Sequence, residues 1–422
     1  MPKGIFTQGM VVLLSEPILF SKLEQILAED FKLVARNESS ERWYFGGPSV
    51  LISYRPEVNG YITVDLVDRP WPDNMGYNGE EKDEMIIGAW SAGYFGPFTY
   101  PGSLSHAAQQ SWLYEDGGKN AAEHKAFIRI RSSYVLGIEI KKDTPILPKN
   151  YDPTHEMMFL TRVCQNILQM SEALCYFNPN GECLASDEIV DGLIDRYEKM
   201  GMYPLEIWSN IRLFNLPDGD KWALMDVVGM GQLDVVDFEA IFIKGEFEPN
   251  EIVSFFRNTS VFYLNNRGLK FKNGQFVVGP GGVCWQGVIV KEGIAAPPRT
   301  VIRWFPADGS ERPEAYLEGL PNYVNKSIED LDKDDHEDDE EFNEEIDKEI
   351  NEELDNVMSD EEKDSDDDEN YEDEQEKEAE NDVTDKEDTE VESDNEIKED
   401  KIDTAENDGK EKKGFFKRLF GK

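Results

Sequence analysis

Residues 10–31, MVVLLSEPILFSKLEQILAEDF, decide the architecture. Met10–Leu14 is apolar at every position, as in a buried strand, and after Pro17 the residues Leu19, Leu23, Ile26 and Leu27 recur at helical spacing. A strand therefore leads into a helix. Working outward, Ser49–Tyr54 and Tyr61–Val67 are β-rich runs joined by a loop in which Pro56, Asn59 and Gly60 supply the fixed and positive φ values of a hairpin. With a further strand at Ala126–Arg131, residues 1–140 read as βαββ(α)β.

Residues 141–320 repeat the mixture. A long helix is expected over Met157–Tyr176, opened by Asp152-Pro153-Thr154-His155-Glu156, and a second over Ser186–Met200, stopped by Gly201. Strand-like runs follow at Glu206–Phe214, Trp222–Val228 and Phe238–Ile243, then a helix from Pro249 and a last strand at Cys284–Val290. The expected class is α+β, antiparallel sheets with packed helices, with two ferredoxin-like layers (1–140 and 141–320) as the candidate arrangement.

Charge divides the chain again. Its 43 basic and 88 acidic side chains give a net charge of -45, but residues 325–422 alone hold 45 acidic and 14 basic residues. Residues 325–409 cannot bury a core and are expected to be a disordered acidic tether. Within it Phe342, Ile346, Ile350, Leu354 and Met358, spaced by four, form an apolar stripe that either docks in a basic groove or is a transient solvated helix. The charge then reverses: residues 410–422 carry six basic residues and one acidic. On a helix Phe415, Phe416, Leu419 and Phe420 share one face, opposite Lys417 and Arg418, with Lys412 and Lys413 preceding them. That pattern suits an anionic membrane surface or a protein groove, a solubility tail being the third reading. The overall acidity disfavours nucleic acid, whose phosphates require clustered Lys and Arg, and favours a basic protein partner. Four cysteines without a CxxC pair imply free thiols in a reducing compartment, and no apolar run approaches a membrane span.

Several blocks resemble a known family: FGPFTYPGSLSHAAQQSW (95–112), HKAFIRIR (124–131), EALCYFNPNGECL (172–184), YPLEIWSNIRLF (203–214), MDVVGMGQLDVVDFEAIF (225–242) and EPNEIVSFFRNTSVFYL (248–264). Over roughly residues 9–290 the chain is similar to the uncharacterised bacterial family catalogued as domain of unknown function 4261. The resemblance implies a bacterial cytoplasmic protein and transfers no activity, substrate or catalytic residue.

The segment 68–112 is rich in aromatic residues punctuated by Gly and Pro. Trp71, Trp90, Tyr94, Phe98 and Trp112 are candidates for a partner or ligand surface, against the alternative that the rings plug a satellite core. His106 and His124 flank Trp112 and could serve a small-molecule site, or be structural histidines bonded to backbone. Asp226, Asp234, Asp237 and Glu239 lack calcium-loop spacing and read as turn and sheet-face residues. No metal or cofactor is expected. The leading expectation is a non-enzymatic cytoplasmic interaction protein, an adaptor or an immunity-type protein, held at the inner membrane or on an assembly by residues 410–422. The alternative is an enzyme using His106, His124 and the aromatic segment.

Overall fold

Two antiparallel-rich sheets, each covered by helices, make up the described part of the chain. The computed structural model describes residues 3–38, 43–79, 81–141, 144–216, 221–309, 311 and 314–316, so the acidic tether and the basic peptide lie outside the described residues. In chain order the elements are β1 (Gln8–Leu14), α1 (Phe20–Asp30), β2 (Leu33–Asn37), β3 (Ser49–Arg55), β4 (Gly60–Val67), the hairpin β5 (Tyr77–Asn78) and β6 (Glu81–Lys82), α2 (Glu84–Ser91), α3 (Ser103–Gln109), α4 (Gly117–Glu123) and β7 (Ala126–Ser133). Then come α5 (Pro153–Leu168), β8 (Ala173–Asn178), β9 (Cys183–Ala185), α6 (Asp187–Met200), α7 (Leu205–Trp208), β10 (Asn210–Asn215), β11 (Trp222–Val228), β12 (Asp237–Ile243), α8 (Pro249–Asn265), β13 (Phe276–Val278), β14 (Cys284–Val290) and β15 (Val301–Pro306).

The first sheet runs β2-β3-β4-β7-β1-β8-β9, and every neighbouring pair is antiparallel. β1 is buried along its whole length because both faces of the sheet are covered. Met10 points towards Thr161 and Cys164 of α5, whereas Val11 and Leu13 enter a core built with Trp71, Phe95 and Phe127. α5 starts where expected: Pro153 takes the first turn, and Asp152 Oδ1 accepts from the Thr154 and His155 amides at 2.9 and 3.2 Å. The second sheet runs β10-β11-β12-β15-β14-β13, with β12 and β15 parallel. α8 seals one face, Phe255 meeting Trp304 edge-on at 5.2 Å and Phe256 stacking on Phe238 at 6.1 Å.

The α+β class is as expected, but the layers are longer than the four-strand reading. The expected long helix ends at Leu168, and Ala173–Asn178 turns back as β8 beside β1. Residues 173–185 thus belong to the first sheet, and a division at 140/141 does not follow the layers; Met1–Ser327 is one compact unit. The run Glu206–Phe214 is a helical turn, α7, followed by β10. β2 escaped notice because most of its side chains are exposed, leaving no apolar pattern. Segment 68–112, expected to be irregular, holds α2 and α3, and α4 follows it.

Candidate functional site

α2, α3 and α4 lay the aromatic segment on the face of the first sheet opposite α5, and this contact consumes most of the candidate residues. Trp71 is buried, with Phe95, Phe127 and Phe177 edge-on around it at 5.5, 5.3 and 5.5 Å. It is a core residue, not a recognition surface, because β7 and β8 supply rings beneath it. Trp90 Nε1 donates to the Thr99 carbonyl at 2.7 Å. Tyr94 packs on Phe6 and Phe45, and its carbonyl accepts from Arg131. His124 Nε2 accepts from the Trp71 amide at 2.8 Å, which leaves the proton on Nδ1, facing the Ala121 carbonyl at 2.5 Å. Burial lowers its pKa, so it is a neutral structural histidine. Beneath these rings Arg129 and Arg131, both buried, share the single carboxylate of Asp65. Backbone carbonyls of Trp43, Tyr44 and Tyr94, together with the Phe6 ring 3.9 Å from Arg131, take up the excess positive charge.

His106 behaves differently. Its Nδ1 lies 2.9 Å from Glu182 Oε1, and the other Glu182 oxygen accepts from Arg212 Nη1 at 2.7 Å. Arg212 then grips Asp226 with two parallel bonds of 2.9 and 2.5 Å. Arg299 donates to Asp226 at 2.7 Å and to Asp237 at 2.6 Å. A continuous chain of charge therefore runs from α3 in the first layer to β12 in the second, buried everywhere except at His106 and partly at Arg299. The hydrogen bond to Glu182 raises the His106 pKa. Asp226 and Asp237 are occupied by arginine, Glu239 holds Arg303, and Asp234 pairs with Lys3, so the acidic cluster is spent on the sheet face and its turn. His106 and His124 hold different partners and are not brought together by a shared contact.

Where this chain ends, Phe98 and Tyr100 face Pro297, Pro298 and Arg299 across a cleft of about 690 Å³, also lined by Gly229, Gly231 and Asp237. Of the aromatic candidates Phe98 lies here and Trp112 does not. Trp112 is 71% exposed and Leu113 45% exposed, at the tip of the turn between α3 and α4. That turn is rigid: Ser111 Oγ and the Gly117 amide both donate to the Tyr114 carbonyl, at 2.7 and 3.1 Å, and Asn120 bonds the Tyr114 hydroxyl and the Leu174 carbonyl. Trp112 Nε1 donates to Gln110, which in turn donates to the Leu213 carbonyl of β10.

All four cysteines are buried and outside any disulfide, and burial pushes the Cys175 thiol up to about 12, so Cys175 is no ready nucleophile at neutral pH. Among the described residues no group of three or more His, Cys, Asp or Glu could hold a metal ion, and no helix is long and apolar enough to cross a membrane. Sequence reasoning missed Glu182, Arg212 and Arg299. The signal lay in charges embedded in apolar β runs, NIRLF, LMDVV and FIRIR: a charge inside a buried strand requires a partner. No family model, curated protein or solved structure matches the chain.

Proposed function

We propose that this is a non-enzymatic interaction protein, an adaptor or immunity-type protein, whose body binds a protein partner and whose C-terminal peptide holds it at an anionic membrane surface. The observation that carries the reading is the Trp112–Leu113 tip: two large apolar side chains held outward by a turn whose own polar groups bond inward. A pre-ordered tryptophan loses little freedom on binding and has the character of an interface anchor. Glu115 and Asp116 beside it are exposed and make no ion pair among the described residues, which favours a basic partner. Trp71, Trp90 and Tyr94 serve the core, Phe98 lines the cleft beside Arg299, and the buried charges serve the joint between layers.

The membrane half rests on sequence. Phe415, Phe416, Leu419 and Phe420 supply apolar insertion, and each of Lys412, Lys413, Lys417 and Arg418 adds about 1 kcal/mol near an anionic leaflet. Co-sedimentation with anionic and neutral vesicles tests it, using the full chain, a Phe416→Asp/Phe420→Asp variant and a truncation after Asp408. The full chain alone is expected to sediment, and only with anionic lipid. Equal sedimentation of all three, or of none, replaces the membrane with a protein groove. For the body, affinity purification with tagged wild type and Trp112→Ala is expected to show a partner lost in the variant; a partner retained by both overturns the Trp112 anchor.

A further inference from the structure

A second groove, of about 560 Å³, lies on the α8 side of the second sheet and shares only the loop Asp234–Val236 with the cleft beside Phe98. Its walls are mostly carbon, with Tyr151 and Asn266 adding polar atoms. Phe238 and Ile302 come from the sheet, Tyr263 from α8 and Phe271 from the chain after α8, while Val236, Leu269 and Ile289 stand at the rim 41, 40 and 43% exposed. Two cations line the same groove. Arg267 Nη2 is held by Asp152 at 2.8 Å and Thr154 at 2.6 Å, but its Nε and Nη1 donors have no partner among the described residues. Lys270 makes no ion pair among them. Asp234, the acidic group of the lining, is already paired with Lys3. The first 324 residues carry a net charge of -14 (29 basic, 43 acidic), so a lysine without an ion pair among the described residues and an arginine with open donors on the lining of one apolar groove stand out against that balance.

We infer that this groove binds a free single-chain anionic amphiphile, a fatty-acid-like molecule whose hydrocarbon lies along the apolar walls and whose carboxylate meets Arg267 and Lys270. Three considerations select that class. An extended peptide brings an N–H and a C=O with every residue, and walls that are mostly aliphatic and aromatic carbon leave many of those groups unpaired at a cost. The groove, about 560 Å³, has the size of a small-molecule site and not of an extended interface. A guanidinium with free donors beside an ammonium is complementary to a carboxylate.

The test is calorimetric titration of the full chain with oleate below its micellar concentration, and with methyl oleate, which has the same chain without the charge. One saturable site per chain is expected for oleate. Ile289→Glu places a carboxylate at the rim and should weaken oleate by about tenfold or more. Leu269→Glu, on the exposed segment after α8, should do the same if the strand variant fails to fold, with melting curves identifying which variants are intact. Lys270→Glu should weaken oleate and leave methyl oleate unchanged. The C-terminal peptide is common to all variants, so losses confined to groove variants cannot arise from it. Absence of saturable binding, or binding that every folded variant retains, overturns the inference. So does a groove variant that keeps oleate but no longer sediments with phosphatidylglycerol vesicles, because the groove would then contact a membrane surface.

Discussion

At the scale of single residues, His106 sets the charge balance of the buried chain. Glu182, Asp226 and Asp237 are three carboxylates facing the two guanidinium groups of Arg212 and Arg299, and among the described residues the imidazolium of His106 supplies the third positive charge. Its hydrogen bond to Glu182 raises its folded-state pKa above the ordinary value of 6.5. Folding then takes up a proton, so the stabilisation is complete below the unfolded-state pKa and disappears as pH rises through the folded one. Urea unfolding of wild type and His106→Gln should differ more at about pH 5.5 than at about pH 8.5. An equal difference at both would mean that His106 is neutral in the pair. The two tryptophans at opposite ends of the aromatic segment make a second contrast. Trp71→Ala should cost about 3–5 kcal/mol by emptying the ring cluster, whereas Trp112→Ala should stay within about 0.5 kcal/mol. Thermal melts that shift equally would contradict this assignment. The burial of Trp71 depends on what β7 and β8 place underneath it, which its neighbours in sequence do not record.

At the scale of elements, the hairpin β8–β9 fastens the first sheet to the second. A Cβ on Gly181 would lie 2.2 Å from the Trp208 carbonyl oxygen, and one on Gly229 only 2.6 Å from the Gly181 Cα, while the Asn210 amide donates to the Gly181 carbonyl at 3.1 Å. Gly229 also has φ 112°, where a side chain is strained. Gly229→Ala should therefore destabilise by more than about 1 kcal/mol, read from the urea midpoint; an unchanged midpoint would mean that the backbones can separate at little cost. Asp226→Ala leaves Arg212 and Arg299 without their shared carboxylate and should cost about 3–5 kcal/mol, part of it recovered when Arg212 is also replaced by Met. A single variant as stable as wild type would show the pairing to be dispensable. Elements with an unbroken apolar run or an intact cap, such as β1, α5 and α6, were legible in sequence. β15 was not: the reading stopped at Cys284–Val290, and the parallel pairing of β15 with β12 depends on contacts across 64 residues in sequence.

At the scale of the whole molecule, the first 324 residues have the composition of a folded body and the rest does not. Limited proteolysis should trim the chain to a product ending near residue 320 that melts like the full-length protein. A resistant tail, or a trimmed body that unfolds, would contradict the division. Residues 327–408 carry 44 acidic and 7 basic side chains, directly before a peptide of net charge +5. Salt screens both their mutual attraction and the attraction of the basic residues to lipid, so recruitment to anionic vesicles should change with ionic strength.

Composition, periodicity and caps determined the α+β class, the buried β1, the helices α5 and α6 and the boundary of the acidic region, because each is expressed within a few residues of itself. Tertiary structure alone decided that β8 and β9 belong to the first sheet, that Trp71 and His124 are structural while Trp112 is exposed, and that His106 ends a chain of charge. Those outcomes depend on partners such as Phe177, Glu182 and Arg212, brought from 30 to more than 100 residues away in sequence, and a local pattern carries no record of what the fold will set beside it.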